Sequence, residues 1–276
     1  MYQFYLFQRG IVLQDKLLAC IRELAPEALA APWDNSGLQI AAQRDEIKHI
    51  AVTLDPCPES VQKALSIEAD FIFTHHPILL SPKYLNNLED NYYKTVSLLI
   101  KNDIPLYSAH TSLDSMPIAF WLADEFKLTE RKILEPTGTI NDIQYGIGVC
   151  GELENPLSAD TFYKQLCQKL PHTRPFFCIG TLPKSIKRIA ICGGSGSSLL
   201  HEARNFGADC LITGDTKYHT ALDITQECNN FAILEVGHHS LEEEMMKRFS
   251  LLLQQKLPEL RISFIPSKDP FIQIME

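Results

Sequence analysis

The feature of this sequence that most constrains its fold is an internal duplication. The segment Ile47-Lys-His-Ile-Ala51 is matched by Ile186-Lys-Arg-Ile-Ala190. The dipeptide Ala69-Asp70 is matched in the same way by Ala208-Asp209. Both matches have the same offset, since 186 − 47 and 208 − 69 each equal 139 residues, and no gap is needed between them. A segment repeated at a fixed offset is expected to build the same structural unit twice.

Each copy predicts a strand, a helix and a second strand, followed by a further helix and strand. In the first copy, apolar strands are expected at Ile47–Leu54 and Phe71–Thr74, with a helix that begins at Asp55-Pro56 between them. A helix at Asn91–Lys101 and a strand at Leu106–His110 follow. The predicted fold class is therefore α/β, with two pseudo-repeated βαβ units.

The predicted domain organisation is a single domain made of two related halves. The halves cover about residues 1–128 and 186–276. The segment 129–185 connects them, with a strand, a helix and a second strand expected at Tyr145–Cys150, Ala159–Leu170 and Phe176–Thr181. If the two halves face each other, the tips of equivalent strands would come together.

Histidine and carboxylate side chains follow the strands of the first copy. His75 and His76 come directly after the second strand, and His110 follows the third, with Asp114 four residues later. Proteins built on α/β sheets bind small molecules and ions at the carboxyl ends of the strands. These four side chains are therefore candidate metal ligands. Adjacent residues of an extended chain point to opposite sides, so His75 and His76 suit two neighbouring metal ions rather than one.

The second copy repeats part of this arrangement. His238 and Glu242 match His110 and Asp114, since 238 − 110 and 242 − 114 each equal 128. Together the histidines and carboxylates offer nitrogen and oxygen ligands and no thiolate, a set that favours Zn, Mn, Fe, Co or Ni. Four imidazoles and two carboxylates exceed the needs of one tetrahedral ion. We therefore expect two divalent metal ions, roughly 3.5–4 Å apart, in a dinuclear metal site shared by the two copies.

Each of these side chains could also have an ordinary structural role. Any one histidine could be a solvated surface residue, and Glu242 could simply complement a helix N-terminus. The turn Trp33-Asp-Asn-Ser-Gly-Leu38 is either a connector or a functional loop. The turn Gly193-Gly-Ser-Gly-Ser-Ser198 could hold an anion but lacks the ending of a phosphate-binding loop. His219 is either an ordinary loop residue or one that orients a ligand, donates a proton or contacts the substrate.

The composition excludes several classes of protein. The net charge is −9 with dispersed lysines and arginines, so we expect no nucleic-acid partner. No apolar run reaches the roughly 18 residues of a membrane span, and residues 1–10 lack the charged region of a secretion signal. The eight cysteines contain no Cys-x-x-Cys pair. We expect reduced thiols of a cytoplasmic protein, with no part in metal binding and no membrane association.

The motifs around these residues resemble those of the Nif-three-like dinuclear-metal family, whose bacterial members are often named GTP cyclohydrolase 1 type 2 homologs. The resemblance covers nearly the whole chain and rests on Trp33-Asp-Asn-Ser-Gly-Leu38, Thr74-His-His-Pro77, Ala109-His-Thr-Ser-Leu-Asp114, Gly193-Gly-Ser-Gly196, Thr213-Gly-Asp-Thr-Lys-Tyr-His219 and Gly237-His238 with Glu242. It implies a Nif-three-like fold with the metal ligands His75, His76, Asp114, His238 and Glu242. His110 matches the histidine that precedes the family's aspartate, and it is either a ligand or a residue that orients one.

The resemblance also implies an assembly and an activity. The family forms toroidal hexamers, so a homohexamer is expected, in a compact form without the large extra domain of some members. A small-molecule substrate, such as a nucleotide, is implied as well. In the leading hypothesis, water acidified by two cations attacks a purine ring carbon of a GTP-like nucleotide or another electrophilic centre, and His110 or His219 carries protons. Two alternatives stay open: a metal-dependent phosphoesterase, and a non-catalytic ring-shaped regulatory or scaffold protein that binds metal.

Overall fold

The protein folds into two compact units, neither of which is continuous in sequence. The computed structural model describes residues 10–171, 174–227 and 230–272. The first unit comprises Met1–Leu113 and Met246–Ser267, and the second comprises Asp114–Met245 and Lys268–Glu276.

Both units contain strands and helices. The described elements are, in chain order, β1 (Val12–Leu13), α1 (Gln14–Leu24), β2 (Gly37–Ile40), β3 (Glu46–Ile47), β4 (His49–Thr53), α2 (Pro58–Ser66), β5 (Phe71–Thr74), α3 (Asn91–Lys101), β6 (Leu106–Ser108), α4 (Thr111–Asp114), α5 (Trp121–Glu125), β7 (Thr129–Ile140), β8 (Ile143–Ser158), α6 (Ala159–Lys169), β9 (Phe177–Gly180), β10 (Ser185–Cys192), α7 (Leu200–Asn205), β11 (Cys210–Thr213), α8 (Tyr218–Glu227), β12 (Ala232–Glu235), α9 (His238–Lys256) and β13 (Arg261–Phe264). Short 3-10 turns occur at Glu27–Leu29, Pro117–Phe120 and Gly196–Leu199.

Each unit is built around a sheet whose central strands are parallel. In the first unit the strand order is β13-β4-β5-β6-β2, and only β2 of these runs antiparallel to its neighbour. In the second unit the order is β7-β8-β10-β11-β12-β9, with β10, β11 and β12 parallel and antiparallel strands outside them. The short strands β1 and β3 pair with each other. The predicted α/β class, with one βαβ unit in each copy, is confirmed.

The two copies of the repeat pair their first two strands in the same register. Ile50 of β4 lies opposite Phe71 of β5, and Ile189 of β10 lies opposite Cys210 of β11. The offset between these pairs is 189 − 50 = 210 − 71 = 139 residues, as it is in the sequence. The duplication is therefore a repeat of structure as well as of sequence.

The matching aspartates of the two copies make the same hydrogen bonds. The Asp70 carboxylate accepts bonds of 2.9–3.1 Å from two successive backbone N–H groups at the start of β4, those of Lys48 and His49. Asp209 accepts bonds of 2.7 and 2.9 Å from the equivalent N–H groups of β10. Because the carboxylate is the acceptor for these N–H groups, it ties the start of the first strand to the residue just before the second. This task explains why the Ala-Asp dipeptide recurs.

The third strand of the second copy is followed by one extra residue. Leu106 of β6 and Ile233 of β12 hold equivalent places beside the central strand, an offset of 233 − 106 = 127. The histidines that follow, His110 and His238, are 238 − 110 = 128 residues apart. Gly237 accommodates the extra residue with a φ of +96°, which side chains disfavour. The second histidine therefore reaches its place through a glycine that the first does not need.

The connection after the central strand is where the two copies differ most. Residues 75–90 separate β5 from α3, whereas residues 214–217 separate β11 from α8. The sequence offsets predict a longer first connection near Ser81–Asn91, and the structure confirms it.

Each unit buries its own apolar core. Ala64 in the first core and Ala203 in the second hold equivalent positions, since 203 − 64 = 139, and both are buried. None of the helices in the described part of the chain combines the length and apolar character needed to cross a bilayer. The single domain with halves at 1–128 and 186–276 stays a prediction.

Several element boundaries differ from those predicted. The helix α2 begins at Pro58 with Cys57 as its N-cap, rather than at Asp55-Pro56. The Asp55 side chain bonds a histidine instead, which removes it from the helix start. The strand β7 is absent from the sequence prediction because most of its residues are exposed and show no apolar pattern. The sequence predicts a helix that begins at Glu242, whereas the helix α9 begins at His238.

Replacing Asp70 by alanine is expected to lower the free energy of unfolding by about 1–3 kcal/mol, because two backbone N–H groups lose their acceptor. Asp209→Ala should have a similar cost for the same reason. Urea denaturation followed by circular dichroism measures both. The exposed Asp223→Ala is the control, with an expected change below about 0.5 kcal/mol. Equal stability of all three variants would contradict the role given to the two aspartates.

Candidate metal site

Three histidines of the first unit meet where two neighbouring parallel strands end. His75 and His76 follow β5, and His110 follows β6. One ring nitrogen of each lies within 4.8 Å of those of the other two. The ring centroids are 5.1–5.7 Å apart. We refer to these three residues as the histidine cluster, and their spacing makes them a candidate metal site, as their positions at strand ends predict.

His75 is the most deeply buried member of the histidine cluster. Its side chain is 0% exposed. Its Nδ1 donates a hydrogen bond of 2.8 Å to the carbonyl oxygen of Ala109. Because a carbonyl oxygen can only accept, this bond assigns the ring proton to Nδ1 and leaves Nε2 as the nitrogen suited to a metal. Such a ring fits a neutral ligand and not a solvated surface histidine.

Carboxylates hold the other two rings in the same way. His76 Nδ1 lies 2.7 Å from Asp55 Oδ1, and His110 Nδ1 lies 2.8 Å from Asp34 Oδ1. Metal-binding histidines in proteins commonly donate their second ring N–H to a carboxylate or a backbone carbonyl, which orients the ring and raises its basicity. All three members of the histidine cluster have such a partner.

The turn at Trp33–Leu38 supplies part of this support. Asp34 Oδ2 accepts hydrogen bonds of 2.7–3.0 Å from the Ser36 hydroxyl and from the backbone N–H and hydroxyl of Thr111. Burial raises the pKa of Asp34, but the hydrogen bonds from His110, Thr111 and Ser36 outweigh it and hold this pKa well below its ordinary value. Asp34 is therefore an ionised acceptor, and the turn is part of the site rather than a plain connector.

A histidine and a glutamate of the second unit form a second group of donors. His238 and Glu242 lie one turn apart on the same face of α9, with Nε2 and Oε2 2.9 Å apart. His238 Nδ1 is 2.5 Å from Asp215 Oδ2. Burial lowers the pKa of His238, but the hydrogen bonds to Asp215 and Glu242 outweigh it and raise this pKa to about 10. Ligand histidines bind metal in the neutral form, so a divalent cation here would take the place of the proton.

Two glycines make room for this pair. A Cβ atom on Gly194, whose φ is +58°, would lie 2.8 Å from Glu242 Oε1. A Cβ atom on Gly214 would lie 2.7 Å from the Cα atom of His238. The Gly193–Ser198 turn thus packs against the His238–Glu242 pair at Gly194, where the close approach of backbone to side chain leaves no room for a Cβ atom.

Arg174 places a positive charge beside Asp215 and Glu235. The sequence alone does not reveal this neighbour. Its Nη2 lies 3.8 Å from Asp215 Oδ1 and 3.8 Å from Glu235 Oε1. The hydrogen bond from His238 and the charge of Arg174 both lower the pKa of Asp215. Arg174 belongs to no motif and to neither repeat, so only the folded chain identifies it as a neighbour of Asp215.

Asp114, the last residue of α4, lines a small cavity of the second unit. Ile191, Cys192 and Gly193 line the same cavity. Burial raises the pKa of the Cys192 thiol, and the carboxylates of Asp114 and Glu242 raise it further. A thiol held in its protonated form is a poor metal ligand, and the expectation that the cysteines take no part in metal binding stays a prediction.

The remaining predicted residues are located as follows. His219 is exposed in the first turn of α8, where its ring contacts that of Tyr218 with centroids 5.5 Å apart. Its proton-transfer role stays a prediction.

The described cysteines are free thiols, and Cys228 lies outside the described residues. The sharing of one dinuclear centre by His75, His76, Asp114, His238 and Glu242 also stays a prediction.

Sequence reasoning missed the three aspartates that orient the histidines. One signal was available for two of them, because Asp55 and Asp215 each lie two residues after a parallel strand, as His76 and His110 do. Asp34 had no such signal, since it lies in a turn 76 residues before its partner His110.

The chain is similar to known proteins over almost its whole length. A family model described as Duf34/NIF3 (NGG1p interacting factor 3) matches residues 13–270. The GTP cyclohydrolase 1 type 2 homolog of Clostridium perfringens is 31% identical over 262 residues, which cover 93% of this chain and 98% of that protein. NIF3-like protein 1 of Drosophila melanogaster is 31% identical over 272 residues, 94% and 90% of the two chains. A Bacillus cereus protein related to NIF3 has a similar structure, with a TM-score of 0.84 at 21% identity over 96% of this chain and 100% of that one.

Replacing Asp55 by alanine is expected to weaken zinc binding by about 10–100-fold, because His76 loses the carboxylate that orients its ring. The fold should survive, since the Asp55 side chain is 48% exposed. Competition with a chromophoric chelator measures the affinity. Asp124→Ala is the matched control, because it removes an exposed aspartate that pairs with Arg131 instead. Equal zinc affinities for the two variants would show that Asp55 does not support the site.

Proposed function

The chain belongs to the Duf34/NIF3 family, and from this membership we propose that it is a metal-dependent hydrolase acting on a nucleotide-like substrate. Membership confirms the resemblance drawn from the motifs, and the similar structures confirm the Nif-three-like fold. The name GTP cyclohydrolase 1 type 2 homolog belongs to relatives such as the Clostridium perfringens protein. That name is the source of the proposed substrate class.

The proposal is carried by the way the histidine cluster is built. Three imidazole nitrogens lie within 4.8 Å of one another, and each ring is held through Nδ1 by a carbonyl or carboxylate oxygen. Hydrogen bonds of this kind fix the tautomer in which Nε2 can bind a metal. If the three histidines served only to stabilise the fold, there would be no reason for every ring to have its own oxygen acceptor at Nδ1.

The proposed ligands are His75, His76, Asp114, His238 and Glu242, and two divalent ions are proposed. The repeat of a histidine and a carboxylate after equivalent strands supports this set, as does the family resemblance. Imidazoles alone would leave the charge of two divalent ions uncompensated, and the carboxylates would supply the anionic oxygens. A nitrogen and oxygen donor set of this kind fits Zn, Mn, Fe, Co or Ni.

Divalent ions bound in such a site lower the pKa of water, so that a nucleophile is available at neutral pH. The chain's own residues would orient the ligands and carry protons. Asp34 and Asp55 hold His110 and His76 in place. His110, which belongs to the histidine cluster, and His219 are the proposed proton carriers. Hydrolysis would add water across a bond of the purine ring, leaving the phosphate groups unchanged.

Two other roles are compatible with the same metal ligands. A phosphoesterase would use the acidified water against a phosphorus atom, and a regulatory ring would bind metal without turnover. A homohexameric assembly is proposed from the family resemblance, as is a small-molecule rather than a nucleic-acid partner.

Replacing Glu242 by alanine is expected to lower the affinity for at least one of the two ions by about 10–100-fold or more, because it removes a proposed ligand. Metal content after gel filtration, measured by mass spectrometry, reports the loss. Glu243→Ala is the matched control, since that carboxylate lies 3.9 Å from His239 Nε2 instead. Because Glu242 is buried, Glu242→Gln is measured beside it to separate loss of a ligand from loss of packing. Two tightly held ions per chain in both Glu242 variants would refute the shared centre.

The proposed activity is tested by incubating metal-replete protein with GTP and with generic phosphoesters. We expect consumption of GTP, with a product altered in its purine ring and no release of inorganic phosphate. Chromatography with mass detection and a phosphate assay distinguish the reactions. Release of phosphate from either substrate would favour the phosphoesterase. Absence of turnover with every substrate, by protein that holds its metal, would favour the regulatory role.

A further inference from the structure

A cleft of about 410 Å³ opens in the first unit next to the histidine cluster. Its wall includes Asp34, whose carboxylate holds His110, and Ile78, which lies two residues after His76. This volume is in the range of pockets that bind small molecules. The cleft therefore lies where part of a substrate would rest while another part reached the metal ligands.

The cleft is built from the segment by which the two copies of the repeat differ. Residues 78–82 of its wall belong to the long connection between β5 and α3. The equivalent connection of the second copy is only four residues long, 214–217. This connection also exposes large apolar side chains, among them Leu80 at 53% and Tyr84 at 86%. Long loops that display apolar groups beside a site commonly bind ligands.

The wall of the cleft carries no cation among the described residues that line it. Asp34 is the charged residue there, and its side chain is fully buried. Lys83, the residue after Pro82 of the wall, pairs instead with Asp90 at 2.5 Å. A phosphate group placed in this cleft would lose water without gaining a counter-charge. The cleft is therefore unsuited to the phosphate end of a nucleotide.

The wall does offer neutral hydrogen-bonding groups among apolar ones. The Asn35 amide nitrogen donates to the Leu79 carbonyl at 2.8 Å and to Gln39 Oε1 at 3.1 Å. These bonds fix the Asn35 side chain and use both hydrogens of its NH₂ group. The side-chain oxygen Oδ1 can therefore accept a hydrogen bond from a ligand. Tyr92 adds a phenol to the wall, and Leu38 adds apolar surface.

An exposed tryptophan lies beside the histidine cluster and next in sequence to the wall of the cleft. Trp33 precedes two wall residues, is 61% exposed, and has its ring centroid 5.8 Å from that of His110. Exposed aromatic rings provide faces on which planar ligands stack. Apolar walls, neutral hydrogen-bonding groups and an aromatic face together match a planar heterocycle with polar edges.

From these features we propose that the cleft binds the uncharged heterocyclic part of the substrate and excludes its phosphates. The inference rests on the proposed function for the reaction that follows binding, but the cleft contains none of the proposed metal ligands. Recognition of the heterocycle can therefore be measured in the absence of turnover.

The test is equilibrium dialysis of the full-length, metal-replete protein with guanosine, adenosine and pterin, each measured separately. We expect saturable binding of at least one of the three, with no competition from inorganic phosphate. Leu80→Lys places a charge in the cleft and should weaken this binding by about tenfold or more. Ile100→Lys, at a 63% exposed position of the same unit outside the cleft, is the matched control and should leave binding unchanged.

Several outcomes would overturn the inference. These are no saturable binding of any of the three compounds, competition by phosphate, or equal effects of the two lysine variants. A change in molar mass by light scattering for Leu80→Lys but not for Ile100→Lys would assign the surface to a contact between copies of this chain instead. Heterocycle binding that persists in Glu242→Ala, without turnover of GTP in the parent protein, would support the cleft while refuting the proposed hydrolase.

Discussion

Parallel pairing of β4, β5 and β6 is the constraint on which the histidine cluster depends. Strands that run in the same direction end at the same edge of a sheet, so residues distant in sequence arrive together there. The backbone N–H of Ala109 donates to the carbonyl of Thr74 at 3.0 Å, so strand pairing continues to the residues next to the histidines. The rings are consequently placed by the sheet itself and not by a flexible loop.

The oxygen atoms behind the rings matter as much as the rings. Burying an ionised carboxylate is unfavourable unless hydrogen bonds compensate, and Asp34 receives them from Ser36, His110 and Thr111. The acceptors come from different parts of the chain: a turn before β2, the end of β4 and the end of β11. Within the histidine cluster, such an acceptor leaves Nε2 of each ring as the nitrogen suited to a metal.

Equivalent positions of the two copies have taken different tasks. His76 of the first copy corresponds to Asp215 of the second, since 215 − 76 = 139. Asp215 has a different task, because its carboxylate orients the ring of His238. Asp55 corresponds to Gly194, since 194 − 55 = 139, and the missing side chain there leaves space for Glu242. One backbone framework thus presents a histidine and its acceptor in the first unit, and an acceptor and an open space in the second. The long connection of residues 75–90 adds a cleft to one copy only.

The sequence by itself determined the α/β class, the repeat with its register, and the histidines and carboxylates that follow the strands. These properties depend on local apolar pattern, on a constant offset and on the fact that parallel strands end at one edge. The partners of the rings were decided only by the tertiary structure. Asp55 was predicted to cap a helix, but hydrogen bonding to His76, 21 residues away, takes its carboxylate, and Cys57 caps the helix instead. The motif at Trp33–Leu38 does not reveal that Asp34 pairs with His110, and Arg174 carries no local signal. A hydrogen bond or ion pair between distant segments exists only once folding has brought them within a few ångströms.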